Sequence, residues 1–179
     1  MVGASLAGLS AARSLRGQGY DGRLVVIGDE IHRPYDRPPL SKEFLAGTLG
    51  EADLVLETDD EDLGAEWLLG ARATGLDRAE RTVRLADGRE VRADGIVIAT
   101  GAAARTLPGS EGLAGVHTLR TLDDARALRA ELARGGRLVV IGGGFLGAAV
   151  ASTADPLGLA VTVVGAAPAP LARPLRATM

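Results

Sequence analysis

The sequence predicts an α/β fold built from two strand–turn–helix units, and three observations carry that prediction. A glycine-rich stretch, Val2-Gly3-Ala4-Ser5-Leu6-Ala7-Gly8, recurs 139 residues later as Ile141-Gly142-Gly143-Gly144-Phe145-Leu146-Gly147. Each copy leads into a helical pattern and then a strand, the continuous apolar run Leu24–Ile27 in the first and residues 161–164 in the second. Such runs suit parallel strands buried on both faces. Hydrophobic residues make up 46% of 179, enough for packed cores and against disorder. The expected architecture is two Rossmann-like, three-layer dinucleotide-binding domains, both incomplete in this chain, over residues 1–106 and 107–179.

Each element follows in order. Only Met1 and Val2 precede Gly3, so the first strand reads as truncated. Leu6, Leu9, Ala12 and Leu15 recur at helical spacing with Arg13 and Arg16 turned away, predicting an amphipathic helix over 5–16 that Gly17 and Gly19 end. Residues 33–40 contain Pro34, Pro38 and Pro39, which exclude helix and ladder pairing and predict an ordered loop. Ser41 then caps a short helix through Leu45, stopped by Gly47. The acidic run 57–62 reads as a solvated face. Thr82–Leu85 and Arg89–Arg92 flank Asp87-Gly88 as a hairpin with a two-residue turn, and Ile96–Ala99 reads as a buried strand ending at Thr100-Gly101.

Leu107-Pro108-Gly109 marks the crossing between domains. Thr121-Leu122-Asp123-Asp124 opens a helix to about Arg134, closed by Gly135-Gly136. A strand at 138–141, the second glycine turn, a helix to about Pro156 and a strand at 161–164 complete the pattern. The last fifteen residues, rich in Ala and Pro, begin no element they finish.

Composition narrows the chemistry. With no cysteine there is no disulfide, thiolate zinc site, cysteine-ligated iron–sulfur cluster or redox dithiol from this chain. Its two histidines, His32 and His117, are too scattered for a metal site. A formal charge of -3 gives no electrostatic footprint for nucleic acid. No apolar run spans a membrane and no leader pattern opens the chain, which reads as soluble, unsecreted and cytoplasmic.

The two turns carry the functional signal. The first glycine permits a tight turn, the second lets backbone approach a pyrophosphate, and the third lets helix pack on strand. The pyrophosphate then sits on free N–H groups at the helix N-terminus, where the macrodipole favours negative charge. The candidates are Gly3, Ser5 and Gly8 in the first copy, and Gly142, Gly144 and Gly147 in the second. An acidic residue is expected about twenty positions on, for ribose hydroxyls. Asp29 and Glu30 supply it in the first copy, whereas the second has Gly165, Ala166 and Ala167. One such turn arises in many strand–helix connections; two in one chain suggest a protein that moves electrons between two nucleotide cofactors.

Taken with Gly28-Asp29-Glu30, Tyr35-Asp36-Arg37-Pro38-Pro39-Leu40-Ser41-Lys42, Ala99-Thr100-Gly101 and Leu119-Arg120-Thr121, the turns resemble FAD-dependent, NAD(P)H-using ferredoxin reductases of the rubredoxin and putidaredoxin reductase type. The resemblance covers nearly all of the chain, and the Tyr-Asp-Arg-Pro-Pro-Leu-Ser-Lys run is its most specific part. It implies FAD in the first domain and NAD(P)H in the second, with a ferredoxin-like iron–sulfur protein or rubredoxin as electron acceptor. It further implies that Asp29 binds the adenosine ribose and the Ala73 backbone meets the adenine. Thr100 and Gly101 pass the cofactor, and Arg37, Pro38 and Arg120 line the flavin. Lys42 is the implied catalytic residue, stabilising the anionic reduced flavin.

Two departures stand out. Ala149 replaces the family's Glu opposite the lysine, and Gly165 replaces its ribose-binding Glu. The chain also stops before the family's later segments, implying an N-terminal portion. Two readings stay open: the oxidoreductase, and a catalytically incompetent nucleotide-binding fragment of one. A dithiol-using flavin disulfide reductase is argued against by the missing cysteines.

Overall fold

The computed structural model describes residues 1–58, 60–167 and 171. Asp59 of the acidic run and most of the last fifteen residues lie outside them. The fold is α/β, with parallel and antiparallel sheets, in two compact units. The first comprises Met1–Asp36 and Val55–Ala102, the second Arg37–Leu54 and the chain from Ala103. Residues 37–54, read from sequence within the first domain, therefore pack with the second unit.

In the first unit, α1 (Leu6–Gly17) buries Gly8, Leu9 and Ala12, while Leu6, in the expected apolar stripe, stays exposed in the first turn. Strand β1 (Leu24–Ile27) pairs in parallel with β2 (Ala65–Leu68). Val2 bridges both Ile27 and Ile98, so it occupies the place of a central strand with a single residue. Ile96–Ala99 consequently forms one bridge and no ladder, and Ile98 and Val97 are exposed rather than buried.

Strands β3 (Ala73–Asp77), β4 (Thr82–Leu85) and β5 (Glu90–Arg92) form an antiparallel meander. The hairpin loop is three residues, Ala86–Gly88, not two. Leu85 N–H donates to Arg89 O and Gly88 N–H to Leu85 O, with Gly88 at φ +86°. That is the turn-plus-left-handed-glycine connection that Asp-Gly also spells. The core gathers Ile27, Ala71, Val83 and Leu85, with Val2, Val25, Leu68 and Ile96 packed against them.

Arg13 and Arg16 do not simply face solvent. Arg13 pairs with Glu61 and donates to Leu56 O, and Arg16 donates to the carbonyls of Leu63, Tyr20 and Gly22. Glu57 likewise pairs with Arg33, whose guanidinium lies 4.0 Å over the Trp67 ring. The acidic run is thus a clasp on α1 and β2 as well as a solvated face.

In the second unit, Pro38–Ser41 forms a 3-10 turn. Prolines suit its first positions because those N–H groups have no partner within the turn. Ser41 belongs to this turn and does not cap the next helix; α2 (Glu43–Ala46) starts at Lys42 and ends at Gly47, φ +82°. In the first unit Tyr35 makes one isolated bridge to Val55 and no ladder, as the prolines predict, whereas the 3-10 turn at Pro38–Ser41 departs from the expectation that they exclude helix.

Helix α3 (Leu122–Leu132) carries the expected capping box, with Thr121 accepting from the Asp124 N–H and Asp124 from the Thr121 N–H. Strand β6 (Arg137–Ile141), α4 (Phe145–Ala154) and β7 (Ala160–Val164) follow, the strands pairing in parallel. The core is Leu45, Leu128, Leu132, Val150, Ala154 and Leu159. Three polar links explain why residues 37–54 belong here: Arg37 to Arg120 O, Arg126 to Glu51, and the Thr153 hydroxyl to Ser41 O. No helix among the described residues is long and apolar enough to cross a membrane.

Candidate functional site

The two glycine turns share one geometry. Gly3 sits at φ +120° and Gly142 at φ +122°, a backbone region that side chains strongly disfavour. Each donates its N–H to the last residue of the neighbouring strand, Gly3 to Ile27 O at 2.8 Å and Gly142 to Val164 O at 2.7 Å. A Cβ on Gly8 would lie 1.9 Å from Gly3 O, and one on Gly147 2.0 Å from Gly142 O, so each helix rests directly on its turn. Ser5 and Gly144 occupy the N-cap positions in extended conformation, and neither helix has a side-chain cap or an acid in its first turn.

A diphosphate fits such a mouth. Four N–H groups at a helix start lack partners within the helix, and the dipole adds positive potential there. Among the described residues a Cβ on Gly144 would meet nothing within 4 Å, while the Leu171 N–H donates to the neighbouring Gly143 O at 2.7 Å. The turns differ on one side: a Cβ on Gly3 would lie 1.9 Å from Ala99 O, whereas one on Gly142 would meet nothing within 4 Å among the described residues. The backbone from Ala99 to Thr100 thus runs against the first turn.

Among the other expected residues of the first unit, Asp29 is exposed and paired with Arg72 at 3.3 Å. Ala73 and Thr100 meet at one apolar cavity of about 220 Å³, shared with Val2, Leu76, Val83 and Ile98. Gly101 turns the chain away at φ +67°.

In the second unit, Arg37 Nη1 donates to Arg120 O at 2.8 Å, bringing those two together. The Arg120 N–H in turn donates to Asp124. Pro38 opens the 3-10 turn, and Lys42, exposed at its end, meets no carboxylate among the described residues. Ala149 lies half-buried on α4. The expected flavin residues are therefore divided, with Gly3, Ser5, Gly8, Asp29, Ala73, Thr100 and Gly101 in one unit and Arg37, Pro38, Lys42 and Arg120 in the other.

Two features escaped the sequence reading. Gly28 is sterically required, since a Cβ there would lie 2.5 Å from the Ala4 Cβ. The strand-end hydrogen bonds also set Gly165 against Gly28 at the end of the second strand. The Ile-Gly-Asp spelling at the end of an apolar run was the available signal for the first.

The family model for pyridine nucleotide-disulphide oxidoreductases matches residues 1–179. The ferredoxin–NAD(+) reductase subunit of a benzene 1,2-dioxygenase system from Pseudomonas putida is 44% identical over 169 residues, 93% of this chain and 41% of that protein. Rubredoxin–NAD(+) reductase of Pseudomonas putida is 40% identical, over 97% of this chain and 46% of its own length. The crystal structure of a covalent putidaredoxin reductase–putidaredoxin complex superposes with a TM-score of 0.89 at 39% identity, over 96% of this chain and 43% of that one. The chain thus spans less than half the length of these relatives.

Proposed function

The chain belongs to the pyridine nucleotide-disulphide oxidoreductase family, and from that premise we propose that it serves an FAD-dependent oxidoreductase. This enzyme passes hydride from NAD(P)H to FAD and electrons on to a ferredoxin-like iron–sulfur protein or rubredoxin. The observation that carries the reading is the pair of glycine turns matched in φ, hydrogen bonding and helix seating. The names of the relatives support the choice of acceptor class. The reaction belongs to the cytoplasm, where reduced nicotinamide nucleotides supply the electrons.

Bound FAD supplies the conversion between two-electron and one-electron chemistry, so no side chain need act as nucleophile. The chain's own residues bind and orient. The α1 N-terminus at Ser5–Gly8 holds the FAD diphosphate, and the Asp29 carboxylate accepts from ribose hydroxyls. Ala73, Thr100 and Gly101 line the cofactor through backbone and small side chains. Arg37, Pro38 and Arg120 line the flavin, Arg37 being held by Arg120 O. Lys42 is the catalytic residue, its ammonium countering the negative charge that develops on reduction. Gly142, Gly144 and Gly147 seat the NAD(P)H diphosphate.

Purification with excess FAD, followed by anaerobic titration with NADH and NADPH, tests this. Retained flavin absorbance that either nucleotide bleaches is the expected result. Flavin retained but never bleached favours the second reading, a nucleotide-binding portion without turnover. Absence of any flavin binding overturns both.

A further inference from the structure

Resting on the reading of the second turn as a nicotinamide-nucleotide site, we infer that this turn accepts nucleotides with and without a 2′-phosphate at similar affinity. Selection for the unphosphorylated ribose comes from a carboxylate at the end of the second strand. It accepts the 2′-hydroxyl and repels a phosphate at that position. In the first unit that strand end reads Gly28-Asp29-Glu30, and in the second Gly165-Ala166-Ala167, aligned by the bonds from Gly3 to Ile27 O and from Gly142 to Val164 O. The second strand end presents no carboxylate at any of these positions.

The difference is not imposed by packing. At Gly28 a Cβ would run into the Ala4 Cβ at 2.5 Å, so a side chain is shut out there and the carboxylate stands one residue later. At Gly165 the facing residue is Gly143, without a Cβ. A side chain would begin 3.6 Å from the Gly143 N, an ordinary contact, at a φ open to any residue. A carboxylate beside the second turn is therefore sterically allowed and chemically missing. Past Asp155 the described residues carry no acidic side chain. The charge written into this stretch does not oppose a phosphate.

Calorimetric titration of the chain with ADP-ribose and with 2′-phospho-ADP-ribose reads the inference without any hydride transfer. Dissociation constants within about threefold of each other are expected, and Gly165→Glu shifts the ratio about tenfold or more toward ADP-ribose. A wild-type preference for ADP-ribose beyond about tenfold overturns the inference, and that ratio decides without any variant. Binding of neither overturns the inference together with the reading of the second turn. Two dissociation constants far apart leave that reading standing and sink the inference alone.

Discussion

Gly8 and Gly147 are the residues on which both candidate sites turn, because each lets a helix N-terminus descend onto its glycine turn. A methyl at either would overlap a carbonyl oxygen 1.9–2.0 Å away. Gly8→Ala is expected to cost about 1–3 kcal/mol, as overpacking does. Urea unfolding followed by Trp67, the chain's single tryptophan and part of the first unit, measures it. The turn glycines themselves separate two mechanisms. Gly142→Ala brings backbone strain alone, about 1–3 kcal/mol, whereas Gly3→Ala adds the clash with Ala99 O and costs more. Equal costs by circular dichroism would contradict that ordering. Lys42 is the opposite kind of residue, exposed and unpaired among the described residues. Lys42→Met should leave unfolding within about 0.5 kcal/mol. Reduction of bound flavin should slow by roughly tenfold, less than for a buried oxyanion donor because water screens the ammonium. An unchanged reduction rate removes Lys42 from the proposal.

The helices sort by how their first turns are satisfied. Helix α3 closes its own N-terminus with Thr121 and Asp124, while α1 and α4, the two that follow glycine turns, do not. A capped end is structural and an uncapped end is available to an anion. Thr121→Ala should therefore cost about 1 kcal/mol of stability in thermal melts and leave the first-turn amides of α1 and α4 untouched. Leu56 and Glu61 are tied to α1 through Arg13, which holds the Glu61 carboxyl below the usual carboxylate range. A carboxyl with a lowered folded pKa stabilises fully above its unfolded value and loses that contribution as pH falls through the folded one. The Trp67 unfolding midpoint should thus drop on acidification below the ordinary carboxylate range, with a shallower slope in Glu61→Gln. Parallel slopes would show that the clasp contributes nothing.

What the sequence made legible follows the strength of its local signals. Helices α1 and α3, strands β1 and β7 and both glycine turns stand where spacing and capping put them. Strands β2 and β3 went unread because Glu66, Gly70 and Gly75 interrupt the apolar pattern, and pairing with β1 and β4 stabilises them instead. Ile96–Ala99 reads as a buried strand by composition, yet a ladder needs a neighbour as well as apolar residues, and Val2 provides only one bridge. In the candidate site the glycines were legible because sterics admit no substitute. The Arg37–Arg120 link was not, being a long-range bond between a side chain and a carbonyl 83 residues away.

At the scale of the whole molecule, each unit builds its own core, and what remains outside those cores is unusually apolar. In β6, Leu138 and Val140 pack inward while Val139 and Ile141 alternate outward at 57% and 63% exposure. Val164 beside them on β7 is also exposed. Parallel strands are normally covered on both faces, and a contiguous apolar face left open to water favours association. The 179-residue chain by itself should therefore bind a hydrophobic dye and show a weight-average mass that rises with concentration in sedimentation equilibrium. Val139→Thr combined with Ile141→Thr should suppress both while shifting stability by no more than about 0.5 kcal/mol per exposed site. Because those side chains point away from the Leu128 and Val150 core, loss of folding in the double variant would contradict the inward–outward alternation itself. A wild-type chain that stays monomeric and dye-free over the same range would show that this face is not a driving surface for association.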